Sequence, residues 1–184
     1  MLGERSTAEW HDQTELSYTT LIDETHRVSS LYNLVNVPSA VWIDEDGRIV
    51  RIDEGAYSRV HDLGGFKFGT DDYSPAVRDW VEKGAESPFV LSADAVVSRI
   101  RPRSDDEALA DATFKLGVYF YQQGDEERAR VYWQQAQALF PDSWNMHRQD
   151  WNLTEGLGGP KFQEKRQGLG DEPYYAPFDF PSSQ

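Results

Sequence analysis

The apolar positions change period along the chain. Tyr18–Ile22 (YTTLI) is β-branched and aromatic, which predicts a short strand. Thr25 caps a predicted helix running to about Leu34, with Val28, Leu31, Tyr32 and Val35 on one face. Val37-Pro38 ends that helix, because a residue before proline disfavours the helical region. Ser39–Ile43 (SAVWI) reads as a buried strand and Arg48–Ile52 as its return strand. Asp44–Gly47 lies between them, and its Asp-Gly pair supplies positive φ, so the segment predicts an antiparallel hairpin. Gly64, Gly65 and Gly69 mark a mobile loop. Ser74-Pro75 opens a further helix, with Pro at its first position and Val77, Trp80 and Val81 on its apolar face.

Beyond Gly84 the pattern changes. Residues 85–104 read as a connector containing Pro88, the pair Val96-Val97 and Pro102. Residues 105–153 carry the 3.6-residue period of two helices. Residues 154–184 form a tail with five glycines (156, 158, 159, 168, 170) and four prolines (160, 173, 177, 181), a density that breaks helix and strand alike. The tail also holds Phe162, Tyr174, Tyr175, Phe178 and Phe180. Leaving those rings in water forgoes about 25 cal/mol per Å² of burial, so the tail is expected to be ordered and to wrap the fold. At the other end, Ser6 or Thr7 is a candidate cap for a short helix carrying Trp10.

Two stretches resemble known families. The run from His26 to Arg51, HRVSSLYNLVNVPSAVWIDEDGRIVR, resembles the C-terminal half of a thioredoxin fold. Within that superfamily it is most similar to the redoxins (TlpA/ResA-like, in the AhpC/TSA superfamily), and the likeness covers about Glu15 to Gly84. It carries Val37-Pro38 at the head of a strand, then the Asp-Gly hairpin, then a closing helix near Pro75–Gly84. The resemblance implies a cis bond before Pro38. It also implies a peptide or thiol-substrate groove at Val37, Pro38 and Ser39. The family's opening strand, Cys-containing loop, helix and second strand have no counterpart here. Without them the Ser39–Ile43 strand is expected to have an unpaired edge, which natural sheets cover or pair. A protein partner, or a second copy forming a homodimer, is the expected cover.

The second likeness runs from Ala110 to Ser143 and resembles one 34-residue tetratricopeptide (TPR) repeat. Leu116, Gly117, Phe120, Gly124, Ala129, Trp133, Ala136 and Pro141 fall at its offsets, with Thr113 where the early Trp is usual. Small Gly117, Ala129 and Ala136 let two helices approach, and Phe120 and Trp133 fill the gaps. A single copy is below the three or more that a free-standing array needs, so the hairpin is expected to dock on another surface. A redoxin-like domain followed by such a hairpin and the Trp144–Trp151 segment is similar to a bacterial redoxin subfamily. The expected fold is therefore α/β, an incomplete thioredoxin-like half-domain (1–84), plus an α-helical TPR-like hairpin (105–153). The connector (85–104) and the tail (154–184) complete the chain.

Composition narrows the chemistry. The 184 residues carry 18 Lys plus Arg against 32 Asp plus Glu, a net charge of −14. Duplex nucleic acid and anionic membranes both need clustered cations, so neither is an expected partner. The absence of cysteine excludes disulfide exchange, a Cys nucleophile, an Fe–S cluster and a Cys-based zinc site on this chain. No apolar run approaches the roughly 18–20 residues of a membrane helix. A cytoplasmic location is expected if Met1 is the native start.

The remaining candidate chemistry is sparse. His147 and Arg148 form a possible anion site, or a polar lid over Trp144 and Trp151 at a helix end. His26 with Asp23 and Glu24 is a conceivable metal set, but His11, His26, His61 and His147 include no i, i+3 or i, i+4 pair. The acidic runs lie in predicted turns and first helical turns, where solvation and the helix dipole favour them. There is no G-x-S-x-G and no phosphate loop. No catalytic residue, metal or cofactor is assigned. The expected function is a redoxin-family binding or scaffold module without redox cysteines. The alternative is the C-terminal part of a thiol–disulfide oxidoreductase or peroxiredoxin-like enzyme whose Cys segment lies upstream or on another chain.

Overall fold

The computed structural model describes residues 17–181, apart from Glu24, Gly64, Arg101 and Leu157. The expected helix carrying Trp10, and His11, lie outside the described residues. In chain order the elements are α1 (Arg27–Leu31), β1 (Ser39–Ile43), β2 (Ile49–Glu54), β3 (His61–Leu63), β4 (Phe66–Phe68), α2 (Tyr73–Lys83), α3 (Ala93–Ile100), α4 (Asp105–Gln122), α5 (Glu126–Leu139), α6 (Trp144–Asp150) and α7 (Gly158–Gln167). The described chain is thus mixed α/β, with two separate antiparallel hairpins as its sheets. No helix among the described residues is long and apolar enough to cross a membrane.

The chain divides into two units. Residues up to Val35 group with Arg103–Gly156, and Asn36–Pro102 group with the chain from Leu157 onward. The stretch read as 1–84 is therefore split: its first part belongs with the helical hairpin.

In the first unit, α4 starts at a capping box. Ser104 Oγ accepts from the Glu107 N–H, and the Glu107 carboxylate accepts from the Ser104 N–H. Asp125 caps α5 by accepting from the Arg128 N–H. Between the helices lies a core of Ala110, Phe114, Ala129, Trp133, Ala136, Phe140 and Met146. Trp133 is fully buried, and its indole N–H donates to the Phe114 carbonyl at 3.2 Å. Gly117 makes that position possible, since a Cβ there would lie 2.5 Å from the Trp133 ring. Phe120 packs against the core and stacks on Tyr132 at 5.3 Å. Of the other positions at the repeat's offsets, Leu116 is 40% exposed and Pro141 is exposed, so neither is part of this core. The 105–153 region also holds a third helix, α6, and a π-helical turn at Trp151–Glu155.

The start of this unit departs from expectation. Tyr18–Ile22 forms no strand, and α1 has only five residues. The cap is supplied by Asp23 and not by Thr25. Its two carboxylate oxygens accept from the Arg27 and Ser29 N–H groups. The expected apolar face is buried only in part: Val28 is 46% and Leu31 73% exposed, while Val35 packs against the core.

In the second unit, β1 and β2 pair with Ala40 opposite Asp53 and Trp42 opposite Arg51, and Gly47 makes the turn at φ 79°. Trp42, Tyr73 and Ala76 form the core, and Trp42 stacks on Trp80 at 5.0 Å. Phe178 and Phe180 of the tail pack against it. The inner face of α2 is Ala76, Val77 and Trp80, while Val81 is 73% exposed. Pro75 is the third residue of α2, still within the first turn, where its missing N–H costs nothing.

Three further expectations are corrected here. The glycine-rich loop contains the β3–β4 hairpin, with His61 opposite Phe68 and the two rings stacked at 5.2 Å. The connector contains α3, which buries Val96 and leaves Val97 exposed. The tail is not free of helix. Gly158, Gly159 and Pro160 fall in the first turn of α7, and KFQEKRQ behind them is made mostly of good helix formers.

Candidate functional site

The candidate groove residues lie at the entrance to β1. The Val37–Pro38 peptide bond is cis. Asn36, fully buried, organises the turn. Its Oδ1 accepts from the Val37 N–H at 2.9 Å and from the Tyr174 hydroxyl at 2.8 Å. Ser39 Oγ donates back to the Asn36 carbonyl at 2.8 Å. The Val37 carbonyl accepts from the Tyr175 hydroxyl at 2.8 Å. Both backbone groups of Val37 are thus held by the chain's own side chains. Gly55 permits this closure, because a Cβ there would sit 2.8 Å from the Tyr175 ring. Burial of the Tyr175 phenol holds its pKa well above the ordinary tyrosine value.

From this lip the ladder sets which groups point outward. The Gly55 N–H donates to the Pro38 carbonyl at 2.8 Å. Hydrogen-bonded pairs in an antiparallel ladder recur every second residue, so Ala40/Asp53 and Trp42/Arg51 are bonded pairs. The backbone N–H and C=O of Val41 then face away from β2. Among the described residues, no backbone group pairs with them. The outer side of β2 is treated differently. Its Val50 carbonyl accepts from the Leu91 N–H at 3.0 Å, and its Ile52 carbonyl accepts from Arg99 at 2.9 Å. Among the described residues, one side of the hairpin is closed and the other is open. At the β2 end, opposite Ser39, burial pushes the Glu54 carboxyl above its ordinary value.

Beneath the hairpin lies a charge network. Asp53 accepts from Arg51 Nε at 2.6 Å, from Arg99 Nη1 at 2.7 Å and from the Tyr73 hydroxyl at 3.2 Å. Tyr73 in turn accepts from the Trp42 indole N–H at 3.0 Å. The Arg51 side chain is 1% exposed, and it also donates to the Phe89 carbonyl at 2.8 Å and to Asp179 at 2.7 Å. Burial alone would lower the Arg51 pKa, but the hydrogen bonds and charges of Asp53 and Asp179 outweigh it and keep the guanidinium charged. The network fastens tail residue Asp179 to β2 and α3. Among the described residues, no buried side-chain nitrogen or oxygen lacks a hydrogen-bond partner.

The other candidates belong to the first unit. His147 bonds the Pro141 carbonyl through Nε2 at 2.9 Å, and its ring lies 5.3 Å from Trp151. Trp144 and Trp151 are both buried. The carbonyl of Arg148 accepts from the Asn152 side chain. His26 sits in the left-handed region at φ 54°, its ring edge-on to Phe114. Burial lowers its pKa, which favours the neutral ring. No group of three or more potential ligands among the described residues could hold a metal ion. Asn36, Tyr174, Tyr175 and the Arg51–Asp53–Asp179 set were missed in the sequence. Paired tyrosines in a proline-rich tail, and Arg51 and Asp53 two apart on one strand face, were the available signals.

Comparison of the chain with protein-family models, with curated proteins and with solved structures finds no match.

Proposed function

We propose that this chain is a protein-binding module of redoxin-like ancestry, without thiol chemistry of its own, that accepts an extended segment of a partner protein along β1. The open backbone groups of Val41 carry this reading. An exposed edge beside a shaped lip is how strand-addition modules take a peptide, with main-chain hydrogen bonds supplying affinity and neighbouring pockets supplying selectivity. The cis Val37–Pro38 bond at the head of the hairpin supports the likeness to a thioredoxin half-domain. The approach of Gly117 to Trp133 supports the likeness of the α4–α5 hairpin to a TPR unit. The enzyme-fragment reading needs the Val37 backbone groups for a thiol substrate. Asn36 and Tyr175 hold both of them, which favours the binding module.

Panning short random peptides displayed on phage against the full chain tests this. Selected peptides are expected to shift the amide NMR signals of Ser39, Val41 and Ile43. Val41→Pro removes the outward N–H while leaving the ladder intact, as proline does on strand edges. It is expected to weaken such peptides about ten-fold or more. Peptides that leave the β1 amides unshifted, or bind the Val41→Pro chain equally well, reject the proposal.

A further inference from the structure

The recess between the β3–β4 hairpin and the tail has a composition at odds with the rest of the surface. It has a volume of about 340 Å³, within the range of small-molecule sites. Its walls are aromatic: Phe66, Phe68, Tyr174 and Tyr175. The hydroxyls of the two tyrosines are engaged by Asn36 and the Val37 carbonyl. Polar recognition therefore falls to the charged lining residues, which are Lys67, Arg166 and one acid, Glu172.

The two cations differ from seven others in this acidic chain. Arg48, Arg51, Lys83, Arg99, Arg103, Lys115 and Arg128 each pair with a carboxylate. Among the described residues, neither Lys67 nor Arg166 does. The Arg166 guanidinium lies 4.5 Å over the Phe66 ring, and its Nε reaches only the Gln163 amide oxygen at 3.3 Å. That stacking orients a planar cation beside an aromatic wall while leaving its remaining N–H groups available for an anion. The remaining charge of a −14 chain opposes anion binding only weakly, since the Debye length is about 8 Å at physiological salt.

We propose that this recess binds a planar, negatively charged small molecule: one aromatic ring system bearing a carboxylate or a phosphate. The ring stacks against the Phe66 and Tyr174 side, and the anionic group meets Arg166 and Lys67. The site shares Tyr174 and Tyr175 with the lip, but its ligand makes no use of the β1 backbone.

Amide NMR of the full chain tests it with indole-3-acetate and AMP as the charged probes. Indole and adenosine supply the ring alone, and inorganic phosphate the charge alone. At least one charged probe is expected to saturate at sub-millimolar concentration, shifting Phe66, Phe68 and Tyr174. Saturation by indole-3-acetate alone marks a carboxylate ligand, by AMP alone a phosphate. The uncharged rings and phosphate are expected to bind about five-fold or more weakly. Arg166→Gln and Lys67→Gln are each expected to weaken binding by about five- to ten-fold, with Arg166→Lys retaining part of it. Lys67 is exposed, so its replacement leaves the unbound spectrum otherwise unchanged. Failure of both charged probes to saturate below about 5 mM overturns the proposal. Equal binding of the uncharged rings overturns it too, as does indifference to both glutamine variants.

Discussion

Two carboxylates share the Arg51 guanidinium, and their removal should have very different costs. Asp53 is 3% exposed and accepts from Arg51, Arg99 and Tyr73. Asp53→Ala strips all three donors of an acceptor and leaves a guanidinium of 1% exposure short of a counter-charge. Breaking a buried pair from one side costs about 3–5 kcal/mol. Asp179 and the Phe89 carbonyl still hold Arg51, which places the expected loss at the lower end, about 3 kcal/mol. Asp179 is 53% exposed. Solvent screens its pairs with Arg51 and Arg99, so Asp179→Ala is expected to cost only about 0–1 kcal/mol. Against a total stability of about 5–15 kcal/mol, the first change is severe and the second slight. Whole-chain fluorescence would average the six tryptophans over both units. The indole N–H signal of Trp42, bonded to Tyr73 beside the network, reports this unit alone when followed by NMR through a urea titration. Equal losses for the two variants, or a larger one for Asp179→Ala, would refute the assignment of Asp53 as the buried anchor.

Gly117→Ala sets a helix-propensity gain of about 1 kcal/mol against overpacking of about 1–3 kcal/mol and loss of the buried Trp133 hydrogen bond, a further 1–3 or so. Net destabilisation of about 1–5 kcal/mol is expected in chemical denaturation, and a stabilised variant would contradict the packing described. The raised Glu54 pKa means that the folded chain favours the protonated carboxyl. That preference contributes fully below the unfolded value of about 4.3 and is lost as pH rises through the raised folded value. Glu54→Gln should therefore raise the thermal midpoint relative to the parent at neutral pH and leave it nearly unchanged at low pH. Asp179 behaves oppositely. Burial raises its pKa, but hydrogen bonds from Arg99 and Arg51 outweigh that and hold it below the ordinary value. Its contribution is present above the unfolded pKa and fades as pH falls through the folded one, so Asp179→Asn should flatten the acid limb of the same thermal series.

The elements legible in the sequence are those whose signals are local. The β1–β2 hairpin follows from Asp46-Gly47 between two apolar runs, and the α4–α5 hairpin from small residues spaced to admit Trp133. Tyr18–Ile22 carried the composition of a strand but pairs with no strand among the described residues, so propensity alone made nothing of it. The α1 cap was misplaced because Asp23 and Thr25 are both competent acceptors and only the path of the backbone chooses between them. α7 was hidden because glycines and a proline at a helix start look, in one dimension, like a broken tail. The lip at Val37–Pro38 was visible in part. Its partners Tyr174 and Tyr175 lie more than a hundred residues away, and no local period reports such a contact. The same holds for Asp179 against Arg51.

The central claim is that β1 presents an open edge for an added strand, and amide hydrogen exchange along β1 tests it most directly. In dilute solution of the chain alone, the amides of Ala40 and Trp42, bonded into the ladder, should be protected. That of Val41 between them should exchange at close to the unprotected rate. Protection of Val41 as strong as that of Trp42 would show that the chain already covers this edge, and would contradict the account.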